Sequence, residues 1–219
     1  IEFTQMETEI FFDPALIDDV EKFDEVADYK VNILRAGKKE PEFIKTKELS
    51  TQKIVSGKLI AYYLARTQQL YEKYGFQTEN MRFRELDGDE RAFYAKEAWD
   101  FEIKTVLGWT ELIANNYRTD YDLKRHAEGS QKDLSYVHDT GKKLLPYIWE
   151  ISIGVDRTFY AILENSYRKE GERTWLSLPF RVAPIHAAIF PLLSNKPELV
   201  TKAQQVYKEL HECFDVFYD

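Results

Sequence analysis

Pro146 to Tyr160 reads PYIWEISIGVDRTFY, and the parsing of this stretch decides the fold. Alternation along a strand sends Glu150 and Ser152 to the same face of a sheet, while Ile148, Trp149, Ile151 and Ile153 supply an apolar body. Gly154 lets the backbone turn. Val155-Asp156-Arg157-Thr158 then opens a helix, with Asp156 and Thr158 expected as caps and Phe159, Ile162 and Leu163 as its apolar stripe. A carboxylate and a hydroxyl on one strand face, followed by a guanidinium at the mouth of a helix, suit a ligand with both an ammonium and a phosphate. The competing reading is a buried sheet-helix junction whose polar residues cap and pair locally.

Composition bounds the answer. The 219 residues are 44% hydrophobic and 15% aromatic, enough for a packed core in one large or two modest domains. The single cysteine, Cys213, excludes a disulfide framework and a cysteine-based zinc site, so no zinc is expected in this segment and a reducing cytoplasm fits. No apolar run approaches the roughly 20 residues that span a bilayer, and the N-terminus does not read as a signal peptide. A net charge of -8 argues against gripping nucleic acid by overall electrostatics, but leaves open a local basic face or a segment outside this chain.

Upstream, Ile1 to Pro14 reads as a strand with Phe3, Gln5, Glu7 and Glu9 on one face. Opening inside an amphipathic strand would leave an unpaired edge, so the chain is expected to be cut from a longer polypeptide. Glu7 and Glu9 form either a solvated face or the wall of a cleft that holds a cation or ammonium. Ala15 to Gln52 is polar and charged and reads as a surface insertion. Thr51 to Tyr74 is helical, with Gly75 as its stop, so a polar and helical insertion is expected over about 18–75.

Further on, MRFREL reads as a strand and Asp87-Gly88-Asp89 as a turn, and Ala98 to Thr105 and Gly108 to Asn115 as an antiparallel pair. Asp100 and Glu102 share one face, Glu111 stands on the next strand, and Arg118 precedes a helix carrying Asp120, Asp122, Arg125 and His126. These charges form either a structural ion-pair network or a site for the two ends of a zwitterion. After the polar connector 129–143 and the stretch around Gly154, Arg181 to Pro184 reads as a linker. A buried strand Ile185 to Phe190, a helix Pro197 to His211 and a strand Phe214 to Tyr218 then make a β-α-β unit. The expected class is α+β: an antiparallel sheet flanked by helices over 1–181, then the start of an α/β domain over 182–219.

Taken in order, IEFTQMETEIFFDP, WDFEIKTVLGWTELIANNYRTDYDLKRH, PYIWEISIGVDRTFY and RVAPIHAAIFPLL resemble the archaeal and eukaryotic type of glycyl-tRNA synthetase, a homodimeric class II aminoacyl-tRNA synthetase. The first corresponds to the second half of that family's motif 2 (R-E-F-x-x-x-E) and the third to motif 3 (E-P-S-x-G-x-x-R). The second carries the GW-x-E and R-x-x-Y-D-L-x-x-H elements that point to glycine, and the last begins the anticodon-binding domain. The resemblance implies that Phe3 stacks under the adenine ring of ATP, Glu7 binds the glycine ammonium and Arg118 takes the glycine carboxylate. Glu150 and Ser152 complete the amino-acid pocket, Arg157 holds the γ-phosphate, and Glu111 lies near ATP and its magnesium. Glu150 and Arg157 stand in the catalytic positions. The implied partners are glycine, ATP and tRNA-Gly, with a homodimer formed through motif 1, outside this chain.

The sequence departs from the pattern at Ile1, where the family has Arg, at Ile151, where it has Pro, and in IANNYR, where it has G-x-A-x-R. The alternative is a synthetase-like tRNA-binding or accessory protein without activation. Glu7, Arg118, Glu150, Ser152 and Arg157 are all present, which favours the enzyme.

Overall fold

The computed structural model describes residues 3–138 and 141–219; Ile1, which opens the strand expected over 1–14, and Asp139 and Thr140 in the 129–143 connector lie outside them. The chain divides into two compact units, one ending at Tyr167 and one running from Arg168 to Asp219, upstream of the linker read at Arg181 to Pro184.

Seven strands build the sheet of the first unit: β1 (Gln5–Phe12), β2 (Lys30–Leu34), β3 (Glu42–Lys45), β4 (Met81–Glu85), β5 (Glu97–Thr105), β6 (Gly108–Thr119) and, after the short pair β7 (Tyr136–Val137) and β8 (Lys143–Leu144), β9 (Tyr147–Gly154). Their spatial order is β1-β9-β6-β5-β4-β2-β3. Every pairing is antiparallel except β2 with β4. The α+β class and the strands expected around MRFREL, Asp100 and Glu150 are therefore as the sequence indicates. Gly108, at φ +100, closes the β5-β6 hairpin in a conformation that a side chain would strain.

One face of the sheet packs against helices. After α1 (Thr46–Thr51), α2 (Lys58–Lys73) buries Ile60, Ala61, Leu64, Ala65 and Tyr71, a 3.6-residue stripe, against Phe83, Trp99 and Phe101. The Tyr71 and Phe101 rings meet at 4.8 Å. Asp18 and Ile17 anchor the start of α2, accepting from the amides of Lys58 and Leu59 at 2.9 Å each. Gly57 is needed there, because a Cβ would fall 2.6 Å from Cγ1 of Ile17. Helices α3 (Tyr121–Ser130) and α4 (Val155–Ser166) follow β6 and β9 directly.

The structure corrects several readings. The 15–52 segment is not a surface coat: Val31 and Ile33 are fully buried in β2, and Phe23, Val26, Ile44 and Leu49 join the core. Polar loops around five- and four-residue strands hide the apolar pattern there. The helix expected from Thr51 starts at Lys58, because Lys53 at φ 55 breaks the helical path. Asp156 and Thr158 do not cap α4. Asp156 Oδ2 accepts from the Thr4 amide at 2.6 Å and Thr158 Oγ1 pairs with the Tyr71 hydroxyl at 2.8 Å. Of the expected stripe, Phe159 is 63% exposed while Ile162 packs against the core, joined there by Ala161.

Starting at the boundary, β10 (Tyr167–Glu170) and β11 (Arg173–Leu176) form a hairpin turned at Gly171 with φ +56. The expected β-α-β unit follows as β12 (Ala187–Ile189), α5 (Pro197–His211) and β13 (Val216–Tyr218), with β12 and β13 parallel. The strand read as buried over Ile185 to Phe190 is shorter, and Ile185 and Phe190 are exposed. A pair of strands with one helix has too little structure to cover both faces.

Candidate active site

Residues directly opposite one another in an antiparallel sheet project to the same face. The register therefore sets Arg84, Asp100, Ala114, Ser152 and Glu7 in one row across β4, β5, β6, β9 and β1. The next row reads Ala98, Asn116, Glu150 and Glu9. This is the sheet face turned away from Trp99 and Phe101. A register shift after Phe101 brings Glu111 opposite Glu102. The extra residue of that bulge, Leu112, is 1% exposed.

Asp100 and Glu102 belong to a structural ion-pair network. Arg84 donates to Asp100 at 2.8 Å, to Glu102 at 3.2 Å and to Glu90 at 2.6 Å. Arg82 donates to Glu102 at 2.6 Å with its guanidinium 4.1 Å over the Trp109 ring. Burial first, then the negative charge of Glu111, pushes the Asp100 carboxyl up to about 6 despite the pull of Arg84.

Glu150 is 5% exposed and both of its oxygens are bonded. Arg118 Nη1 donates to Oε1 at 2.6 Å and Asn116 Nδ2 to Oε2 at 3.0 Å. Arg118 also donates from Nε to Asp122 at 2.7 Å and lies 4.4 Å over the Tyr94 ring. The Asp122 hydrogen bond and the nearby Glu150 charge hold the Arg118 guanidinium above its ordinary value, against the effect of burial. Its Nη2 donates no hydrogen bond among the described residues.

A cavity of about 390 Å³ opens beside this cluster, lined by Phe3, Gln5, Glu111, Ala114, Ser152 and Arg157 among others. Gln5 Nε2 donates to Ser152 Oγ and to Glu7 Oε1, the latter at 3.2 Å. Arg157 Nη1 donates to the Glu111 carbonyl at 3.0 Å and stands 3.7 Å from its carboxylate. Phe3 is 74% exposed and the Arg157 side chain 60%. The amide of Val155 donates to Thr4 at 3.1 Å, which ties the segment before β1 to the start of α4.

Four of the residues singled out from sequence, Phe3, Glu111, Ser152 and Arg157, thus share one cavity. Glu7 is the cross-strand partner of Ser152. Glu150 and Arg118 do not line the cavity and are bonded to each other one row along the same face. Sequence reasoning missed Gln5, Ala114 and Asn116. Two-residue spacing from Glu7 and Arg118 was the available signal for Gln5 and Asn116. Among the described residues no group of three or more His, Cys, Asp or Glu side chains is arranged to hold a metal ion.

No family model matches the chain. Among curated proteins, the glycine–tRNA ligase of Aeropyrum pernix is 28% identical over 298 residues, covering 100% of this chain and 51% of that protein. The glycine–tRNA ligase of Thermococcus gammatolerans is 27% identical over 300 residues, covering 100% of this chain and 52% of that protein. That of Clostridium tetani is 42% identical over 151 residues, covering 66% of this chain and 32% of that protein. The chain spans about half the length of the archaeal relatives that it matches throughout. A solved structure of Giardia lamblia prolyl-tRNA synthetase in complex with prolyl-adenylate aligns at a TM-score of 0.49 and 18% identity, over 78% of this chain and 33% of that one.

Proposed function

We propose that this chain, which belongs by sequence with the glycine–tRNA ligases, carries the site at which glycine and ATP condense to glycyl-adenylate before transfer to tRNA-Gly. The observation that carries the proposal is the cavity itself. It has an exposed aromatic ring and an exposed guanidinium, Phe3 and Arg157, beside a hydrogen-bonded Gln5-Ser152 pair and the buried carboxylate of Glu150 one row away.

In adenylate formation a carboxylate oxygen attacks the α-phosphorus, a P–O bond forms, and the bond to pyrophosphate breaks as pyrophosphate leaves. No protein nucleophile takes part. The protein must hold two anions together and neutralise the charge that develops. Phe3 offers a flat face for adenine, and Arg157 reaches from the start of α4 to the γ-phosphate. Glu7, Ser152 and Glu150 supply acceptors for the ammonium. Arg118, with Nε and Nη1 held by Asp122 and Glu150, turns its unshared Nη2 to the glycine carboxylate.

The net charge of the Arg118, Asp122 and Glu150 group is negative, so the ammonium is the end of the substrate it attracts most. Glycine has no side chain to recognise, and its selection rests on excluding larger residues. The Ala114 methyl and the Gln5-Ser152 bridge limit the room beside the α-carbon.

Magnesium enters with ATP in this reading. Mg²⁺ commonly takes one or two protein carboxylates together with substrate phosphates, and the partly exposed carboxylate of Glu111 suits that need. When bound, the ion neutralises phosphate charge. We assign the second unit to the start of an anticodon-binding domain, and the whole to a cytoplasmic homodimer formed through the family's motif 1. Among the described residues no helix is long and apolar enough to cross a membrane.

A second reading, a synthetase-like tRNA-binding protein without activation, draws on the engagement of Arg118 by two carboxylates, which leaves it few donors for substrate. Glycine-dependent exchange of pyrophosphate into ATP by the full-length polypeptide that carries this chain separates the two. Exchange with glycine is expected. Its absence from folded protein overturns the proposal.

A further inference from the structure

We infer that Asn116 is a positioning residue for the ammonium-binding carboxylate, Glu150; the inference rests on the functional reading given above. The two residues are direct partners in the β6-β9 register, so the sheet sets their side chains next to each other. Asn116 is 8% exposed, and its amide nitrogen donates to Glu150 Oε2 at 3.0 Å while Arg118 holds Oε1 at 2.6 Å. Glu150 is thus gripped at both oxygens.

A carboxylate that accepts from one side only can rotate about its last bond, and a buried one with an unbonded oxygen loses several kilocalories of solvation. The second donor removes both problems. It holds the second oxygen in place, one row along the sheet face from Ser152 and Glu7.

Asn116 falls in the IANNYR segment, where the resembling family has G-x-A-x-R. The neighbouring Asn115 points to the other face, where Nδ2 donates to the Trp99 carbonyl at 2.9 Å, so the two asparagines have separate tasks.

Two synthetic ligands test the assignment on the full-length polypeptide: glycyl-sulfamoyl-adenosine, which carries the ammonium, and acetyl-sulfamoyl-adenosine, which lacks it. Calorimetry on wild type is expected to show a clear preference for the first. Asn116→Asp keeps the shape and replaces the donor by an acceptor; Asn116→Ala removes the donor and the bulk. Both are expected to weaken the glycyl ligand about tenfold or more, the order expected for losing a hydrogen bond to a charged group, and to leave the acetyl ligand unchanged.

Equal weakening of both ligands, or no weakening of either in a variant whose thermal unfolding matches wild type, overturns the inference. If wild type itself shows no preference for the ammonium, the assignment of Glu150 fails and the role of Asn116 falls with it. A wild-type preference that Asn116→Asp leaves intact refutes the positioning role alone.

Discussion

Arg118 and Glu150, on neighbouring strands, meet at 2.6 Å with the glutamate 5% exposed, so the guanidinium proposed to receive a substrate carboxylate is also the partner of a buried protein carboxylate. Under the proposed function one residue therefore serves stability and substrate binding at once. Arg118→Ala strands Glu150 without its charge partner, and loss of one member of a buried pair costs about 3 to 5 kcal/mol. Urea unfolding is expected to show a loss of that order, and Arg118→Ala combined with Glu150→Gln a smaller one. A stability unchanged by Arg118→Ala contradicts this account of the pair.

Arg157 stands in the opposite situation. Its side chain is 60% exposed and its carboxylate neighbour, Glu111, is 3.7 Å away, so little stability depends on it. Arg157→Ala is expected to change unfolding free energy by less than about 0.5 kcal/mol and to weaken ATP binding about tenfold through loss of a charge-assisted phosphate contact. Calorimetric titration with ATP and with glycine separately checks this, and a variant that loses glycine but keeps ATP contradicts it.

Asp100 makes the stability of the first unit depend on pH. Its carboxyl is raised from 3.8 to about 6, so between these values the folded state binds more protons than the unfolded state. Stability then falls as pH rises through that window and is lowest, on this account, above it. Burial raises the Glu97 carboxyl in the same direction. The Asp100 contribution is on the order of 2 kcal/mol, and Asp100→Asn is expected to flatten the slope between pH 4 and 6.5 in urea unfolding. A slope unchanged by that substitution counts against the assignment.

Gly57→Ala tests how tightly the start of α2 is seated. At φ 175 the backbone is extended and accepts any residue, so the cost is steric: the new methyl would lie 2.6 Å from Ile17 Cγ1 and 2.9 Å from Cδ1. Overpacking of this kind costs about 1 to 3 kcal/mol. Thermal unfolding should register the loss, and an unchanged Tm would mean that Ile17 moves aside freely.

The sheet was legible where its strands were long or charged in alternation. Glu150 and Ser152 in β9, the β5-β6 hairpin and the β-α-β unit all follow from two-residue or 3.6-residue spacing. What escaped has physical reasons. Strict alternation from Ala114 and Asn116 puts Glu111 on the opposite face, and only the bulge at Leu112 returns it to the polar one. Val31 and Ile33 belong to a strand too short to stand out among lysines and glutamates. Asp156 and Thr158 have the chemistry of caps, but Thr4 and Tyr71 reach them first. The pairing of Arg118 with Glu150 joins residues far apart in sequence, and only the β6-β9 register brings them together.

The proposed glycine site depends most on Glu150. Glycine-dependent pyrophosphate exchange should be measured on wild type and on Glu150→Gln, with both proteins shown to be folded. Wild type is predicted to exchange with glycine, and the variant to raise the KM for glycine at least about tenfold while leaving that for ATP within about twofold, the split expected when an ammonium loses its charged acceptor. Undiminished use of glycine by Glu150→Gln, or no exchange by wild type, would contradict it.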